Sequence, residues 1–251
     1  MGNGDALYLD LMKKVLTGMI YEDPPQQAAW YFFGEQYRQH QRANGEDWPT
    51  VAHTMIGLKR LDNLQSSVER LIADDVRGDF IETGVWRGGA CIFMRALLLT
   101  YGVRDRKVWV ADSFQGMPVT DKDSYPGDRE LALHKYNDAL AVSLERVKAN
   151  FTAYGLLDDQ VEFLPGWFRD SLPDAPIKEI ALLRLDSDLF ESTMDTLVNL
   201  YPKVSVGGYV VIDDYVIPAC REAVHRFRDA EHIEDELVTI DESSVYWRRS
   251  A

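Results

Sequence analysis

DFIETGVWRGGACIF (79–93) decides how the chain reads: a short run apolar on both faces stops at Gly84, a glycine-rich turn follows, and a helical pattern begins at Ala90. Strand, tight turn and helix in that order open a parallel α/β sheet. The texture repeats downstream. KVWVADS (107–113), QVEFLP (160–165), IALLRLD (180–186) and GGYVVIDD (207–214) read as further strands. NDALAVSLERVKANFTAYG (137–155), ESTMDTLVNLYPKV (191–204) and PACREAVHRFRDAEHI (218–233) read as helices. The tail closes with ELVTI (236–240), a DESS turn and VYWRR (245–249), an antiparallel pair. The expectation is an α/β, doubly wound, mostly parallel sheet with an antiparallel C-terminal strand.

Residues 1–75 carry no convincing strand and predict a helical N-terminal cap, leaving 76–251 as the sheet domain. ALYLDLMKKVLTGMI (6–20) places Leu7, Leu11, Val15 and Ile20 roughly on one stripe, and Pro24 with Pro25 bars continuation. VAHTMIGLKRLDNLQSSVERLIADD (51–75) is a second amphipathic pattern. The aromatic stretch AAWYFFGEQY (28–37) suits cap core, a subunit contact or a wall of an acceptor site. GMPVTDKDSYPGDRE (116–130) reads as a long loop of the kind that forms functional lids.

The 251 residues carry 27 Lys and Arg against 41 Asp and Glu, a net charge of −14, which argues against nucleic-acid and membrane partners. No apolar run reaches the ~18 residues of a membrane span, and the N-terminal pattern predicts no secretory signal. Two cysteines, Cys91 and Cys220, are too few for a disulfide framework, so a cytoplasmic location is expected.

Ligands of doubly wound sheets sit beyond the carboxyl ends of the strands. The first turn lacks G-x-G-x-x-G spacing, and Glu82 at its start would repel a pyrophosphate while suiting an ammonium group. Asp112, ending the second strand, sits where an acid commonly accepts hydrogen bonds from a ribose diol. An ammonium-preferring turn plus a ribose acid describes S-adenosylmethionine (SAM) better than NAD. Asp186, Asp213 and Asp214 end two later strands and are expected to converge. Carboxylates that close need protons or a cation, and an oxygen-only ligand set selects a hard ion, Mg²⁺ or Ca²⁺. Asp188 and Asp195 read as helix caps or surface acids.

These segments together resemble the macrocin-type O-methyltransferases, which methylate deoxysugar hydroxyls of antibiotics. The resemblance runs through WPTVAHTMIG (48–57), IETGVWRGGACIF (81–93), VWVADSFQGMP (108–118), FLPGWFRDSLP (163–173), LRLDSDLFESTMD (183–195) and VIDDYVIPACREAV (211–224). It implies a class I SAM-dependent methyltransferase fold, Rossmann-like, with a helical lid, SAM as methyl donor and Mg²⁺ at the acceptor. Carried onto matching positions, Glu82 and Gly84 would flank the methionine part of SAM, and Asp112 with Ser113 the ribose. Gly166, Trp167 and Phe168 would lie near adenine, and Asp186, Asp213 and Asp214 would hold the metal. Trp48, His134 and Tyr136 are the candidate sugar contacts, Trp48 standing where the family's YPT-like stretch has tyrosine.

The reaction implied is in-line attack of a sugar hydroxyl on the sulfonium methyl, with Asp186 as candidate general base. The partner is then a small glycosylated natural product, and a homo-oligomer is expected from the aromatic, loop-bearing cap. A Mg²⁺-dependent catechol-type methyltransferase and a non-catalytic binding protein on the same fold are the rival readings.

Overall fold

The computed structural model describes residues 2–27 and 34–251. Residues 28–33, the heart of the aromatic stretch, lie outside the described residues. In chain order the elements begin with α1 (Asn3–Leu16), α2 (Gln39–Asn44), α3 (Gly57–Ala73), β1 (Asp79–Thr83), α4 (Gly89–Thr100) and β2 (Val108–Asp112). Next come α5 (Pro126–Leu131), α6 (Asn137–Leu140), α7 (Leu144–Ala153), β3 (Val161–Pro165), α8 (Phe168–Ser171) and β4 (Ile180–Leu185). The chain ends with α9 (Phe190–Leu200), β5 (Val204–Ile212), α10 (Pro218–Ala230), β6 (Val238–Thr239) and β7 (Val245–Arg248). One seven-stranded sheet holds them in the order β3-β2-β1-β4-β5-β7-β6. The first five strands run parallel, and β7 pairs antiparallel with both β5 and β6. From β1 the chain winds outward to β3, then crosses back to β4, so the switch point lies between β1 and β4.

The period-2 alternation of each strand feeds two cores. Phe80, Val108, Val110, Leu182 and Val211 face the helices α1, α3, α4 and α7. Ile81, Trp109, Ala111, Leu183, Val210 and Ile212 face α9 and α10. Strands buried on both faces are what a parallel sheet covered on each side requires.

The helical cap shares the first of these cores: Leu9, Met12, Leu16, Leu61, Leu64, Val68 and Leu71 pack in one cluster with Phe80 and the α4 side chains. The stripe expected on α1 therefore faces the other way. Leu9, Met12 and Leu16 are buried, whereas Leu7, Leu11 and Ile20 are exposed. Both sets satisfy helical spacing, and only the docking of the helix chooses between them. The helix expected over 137–155 is likewise interrupted. Ala141 turns extended, and the Ser143 hydroxyl accepts the Arg146 N–H at 3.2 Å to start α7 afresh. The long loop after Gly116 ends in α5, which Pro126 opens.

Inside the cap lies a wholly buried cation. Arg42 donates from Nε and Nη2 to Asp47 at 2.7 and 2.9 Å, from Nη1 to the Thr17 carbonyl at 2.8 Å and from Nη2 to the Asp23 carbonyl at 2.7 Å. Asp23 in turn accepts the N–H groups of Val51 and Ala52 at 2.8 and 2.7 Å. One side chain thus ties the end of α1, the loop after it, α2 and the segment leading to α3. Arg42→Met strands a buried Asp47, and urea unfolding is expected to show a loss of about 3–5 kcal/mol. A loss within the error of the measurement would mean that Asp47 does not depend on Arg42.

Candidate functional site

A cavity of about 580 Å³ opens at the carboxyl ends of β1, β2, β3 and β4, within the size range of small-molecule sites. Gly84, Asp112, Ser113, Gly166, Trp167, Phe168 and Asp186 line it, as do the loop 116–121 and Glu191, Ser192 and Asp195 of α9. Gly84 has φ +85°, and a Cβ built there would lie 1.8 Å from the Asp186 carbonyl oxygen, so the β1 turn and the β4 end touch backbone to backbone. Asp112 locks the neighbouring turn: its carboxylate accepts the N–H groups of Val85 at 2.8 Å and Phe114 at 2.7 Å. Burial raises its pKa, with those donors acting against the rise. Trp86, Phe114 and Asp188 all sit at positive φ, 47°, 55° and 54°, each just past a strand end that meets the cavity. Such backbone strain persists where surrounding structure enforces it, and it clusters at functional sites.

The lining is acidic. Asp112, Asp121, Asp123, Asp128, Asp186, Glu191 and Asp195 face Arg169 as the one basic lining residue among the described residues, a field that favours a cationic ligand. Asp128 does structural service as well, accepting the Phe190 and Glu191 N–H groups at 2.8 and 3.2 Å and so capping α9 from another helix. Glu82, by contrast, is no wall of the cavity. It is buried inside the sheet, where one oxygen accepts from Arg184 and the other from the Cys91 thiol at 2.9 Å. Desolvation raises its pKa to about 7.

At the end of β4 three carboxylates converge: oxygens of Asp186, Asp188 and Asp214 lie within 4.8 Å of one another. The Asp188 N–H donates to Asp214 Oδ2 at 3.1 Å. Burial is the largest cause raising each, to about 6 for Asp186, to about 8 for Asp188 and well above the ordinary value for Asp214, with repulsion from neighbouring carboxylates, Asp213 among them, adding to it. Asp213, expected in this group, faces elsewhere. Its N–H still joins the β4–β5 ladder through Leu185 O at 2.8 Å, so it continues the alternation of β5 on the Val211 side. There its carboxylate accepts from Arg184 and, at 2.7 Å, from Arg60. Asp188, read from sequence as a cap or surface acid, takes the third place. The residues suit a hard divalent cation: oxygen donors only, mutually repelling and half-buried.

The three candidate acceptor contacts are placed as follows. Trp48 and Tyr136 pack edge to face at 6.1 Å, in a small cluster with Met55, Ala139 and Leu140. His134 Nδ1 lies 3.5 Å from Thr120 Oγ1, and Thr120 lines the cavity. Trp86 Nε1 donates to the Ala139 carbonyl at 2.9 Å, fastening this segment to the glycine-rich turn. Sequence reasoning missed Asp188, Arg60 and Arg184. For Arg184 the signal was present: a guanidinium inside the apolar run IALLRL demands buried counter-charges.

Residues 5–249 match the family model described as Macrocin-O-methyltransferase (TylF). Among characterised proteins, the demethyldecarbamoylnovobiocin O-methyltransferase of Streptomyces niveus is 58% identical over 250 residues, 99% of this chain and 95% of that protein. The mycinamicin III 3″-O-methyltransferase of Micromonospora griseorubida is 56% identical, with 99% of this chain and 98% of that protein covered. Among solved structures, the O-methyltransferase NovP superposes with a TM-score of 0.95 at 58% identity, covering 98% of this chain and all 100% of that one. The chain belongs to the macrocin O-methyltransferase family, an O-methyltransferase on the Rossmann-like fold of the SAM-dependent enzymes.

Proposed function

We propose that the protein transfers the methyl group of SAM to a hydroxyl of a deoxysugar on an antibiotic natural product, with Mg²⁺ as the required metal. One observation carries the reading: Asp186 lines the acidic cavity and belongs to the carboxylate cluster at once. A donor in the cavity and an acceptor at the cluster would therefore meet at one side chain. The relatives support the acceptor class, since their names specify demethyldecarbamoylnovobiocin and mycinamicin III.

In this reading Gly84 lets backbone approach the donor closely, and the turn held by Asp112 and Ser113 receives its ribose. Gly166, Trp167 and Phe168 form the wall for its base. The acidic lining matches a ligand carrying sulfonium and ammonium charges. Asp186, Asp188 and Asp214 hold the cation, which when bound orients neighbouring hydroxyls and lowers the pKa of one. Asp186 is oriented by the Arg184 guanidinium at 2.9 Å, which weakens it as a base. Asp188, pushed up by burial and its acidic neighbours with no guanidinium opposing the rise, is the carboxylate of the cluster better suited to take the hydroxyl proton. Trp48, His134 and Tyr136 remain the candidate sugar side, through the packing of loop 116–140 against the cap. Unpaired, buried Cys91 and Cys220 fit a cytoplasmic location. The exposed Leu7, Leu11 and Tyr21 of the cap fit a homo-oligomer contact.

Labelled SAM, incubated with demethyldecarbamoylnovobiocin and with a catechol panel, each with Mg²⁺ or with chelator, tests the whole reading. Label on the glycoside only, and only with Mg²⁺, is the expected result. Transfer confined to catechols would overturn the acceptor class, and full turnover in chelator would overturn the metal. Asp188→Asn and Asp186→Asn are each expected to cut kcat about 10²–10⁴-fold while S-adenosylhomocysteine affinity, read by calorimetry, stays near wild type. Near-normal turnover in either variant would remove that residue from the chemistry.

A pH effect follows from the same carboxylates. Their folded pKa values are raised above the unfolded ~3.9, so their contribution to stability is fully present below that pH and is lost as pH climbs through about 6 for Asp186 and about 8 for Asp188. A cation replaces the protons. The rise in Tm produced by Mg²⁺ is therefore expected to be larger at pH 8 than at pH 5.5. Equal rises would mean that the cation binds without displacing protons from this cluster.

A further inference from the structure

Outside the cavity, one continuous chain of buried charges runs from the cap to the acidic cluster. Arg60, on α3, donates from Nη1 to Asp213 Oδ2 at 2.7 Å and from Nε to Asp241 Oδ2 at 2.8 Å. The other oxygen of Asp213 accepts from Arg184 Nη2, and Arg184 Nη1 donates to Asp186 Oδ2 at 2.9 Å and to Glu82. The side chains of Arg60, Asp213, Asp241 and Arg184 are 9%, 4%, 4% and 2% exposed, so water screens none of these contacts well. The far end is anchored too: Asp241 Oδ1 accepts the N–H groups of Ser243 and Ser244, both at 2.9 Å, and Ser244 Oγ donates to the Asp213 carbonyl at 2.6 Å.

The division of charge gives Arg60 a task. Arg184 alone faces three carboxylates, Glu82, Asp186 and Asp213. Arg60 supplies Asp213 with a second cation, which lets Arg184 share itself with Asp186. Without Arg60, the deeply buried Asp213 has Arg184 as its remaining guanidinium partner and draws it away from Asp186. We infer that Arg60 is a positioning residue for the acidic cluster: acting through Asp213 and Arg184, it sets the place of the Asp186 carboxylate, so that a cap side chain fixes a ligand of the metal. The inference rests on the metal reading above.

The test uses Mn²⁺ as probe, its binding to the full chain counted by electron paramagnetic resonance, with S-adenosylhomocysteine affinity measured beside it. Arg60→Met is expected to weaken Mn²⁺ binding at least about tenfold, as loss of a group that orients metal ligands does, with product affinity within about twofold of wild type. Asp241→Asn, which loosens only the outer end of the chain, shifts Mn²⁺ binding in the same direction by less. It decides the matter if Arg60→Met does not fold. Mn²⁺ affinity unchanged in the deciding variant overturns the inference, and so does a parallel loss of both affinities, which is the mark of a merely structural role. Wild-type protein that takes up no Mn²⁺ overturns the metal reading and this inference with it, an outcome distinct from either.

Discussion

The guanidinium of Arg184, buried inside the sheet and divided among Glu82, Asp186 and Asp213, is the contact on which the carboxyl edge depends. Parallel strands all end on one side. A chain that closes β4 and β5 with acids must therefore crowd negative charge there. A cation rising from below, out of β4 itself, relieves the crowding without occupying the open side. It binds Asp213 and one oxygen of Asp186 and leaves Asp186, Asp188 and Asp214 turned toward each other at the rim. Buried ion pairs are seldom the most stable way to fill an interior. An apolar residue at 184 would pack on the Leu182 face of β4, but it would leave Glu82 and Asp213 with less to answer their charge.

That arrangement explains which parts of the site were legible in the sequence. Runs such as VWVAD and IALLRL, apolar on both faces and ending at a glycine or an acid, carry the parallel sheet and its ligand edge directly, because burial on both faces leaves no other economical use for them. Seven of the residues read as donor contacts or metal ligands, Gly84, Asp112, Ser113, Gly166, Trp167, Phe168 and Asp186, line one cavity. What the sequence does not display is the side to which an acid points. Asp213 and Asp214 are neighbours in the chain, yet the ladder continuing through the Asp213 N–H turns its carboxylate inward to Arg184 and Arg60. Glu82 is displaced for the same reason: its parity in β1 is that of Phe80, which faces the core beneath α4. On α1, two leucine-bearing stripes compete, and the choice of Leu9 over Leu7 is made by tertiary docking that no local pattern encodes.

The cap is more than a cover added to a finished sheet. Its Arg42 knot holds the segment 47–52 in place, and that segment runs directly against the glycine-rich turn. The Gly89 N–H donates to the His53 carbonyl at 2.9 Å, and a Cβ at Gly89 would come within 2.3 Å of that oxygen. Arg87 reaches back from the turn to the Ala52 carbonyl at 2.8 Å. The first turn of the sheet is therefore shaped on one side by Asp112 and on the other by the cap backbone.

Two independent routes thus run from the cap into the site: backbone contacts at 52–53 to the glycine-rich turn, and Arg60, through Asp213 and Arg184, to the carboxylates. A rigid connection of this kind matters because in-line transfer is sensitive to the relative placement of two groups held by different parts of the protein. If the glycine-rich turn and the carboxylate cluster were each positioned only by their own strands, a small shift between β1 and β4 would misalign them. Here Gly84 meets the Asp186 carbonyl at backbone contact, and the cap spans both ends of the same assembly. The N-terminal helices are thereby part of the packing that shapes this edge of the sheet, and the core they share with Phe80 and α4 holds them to it.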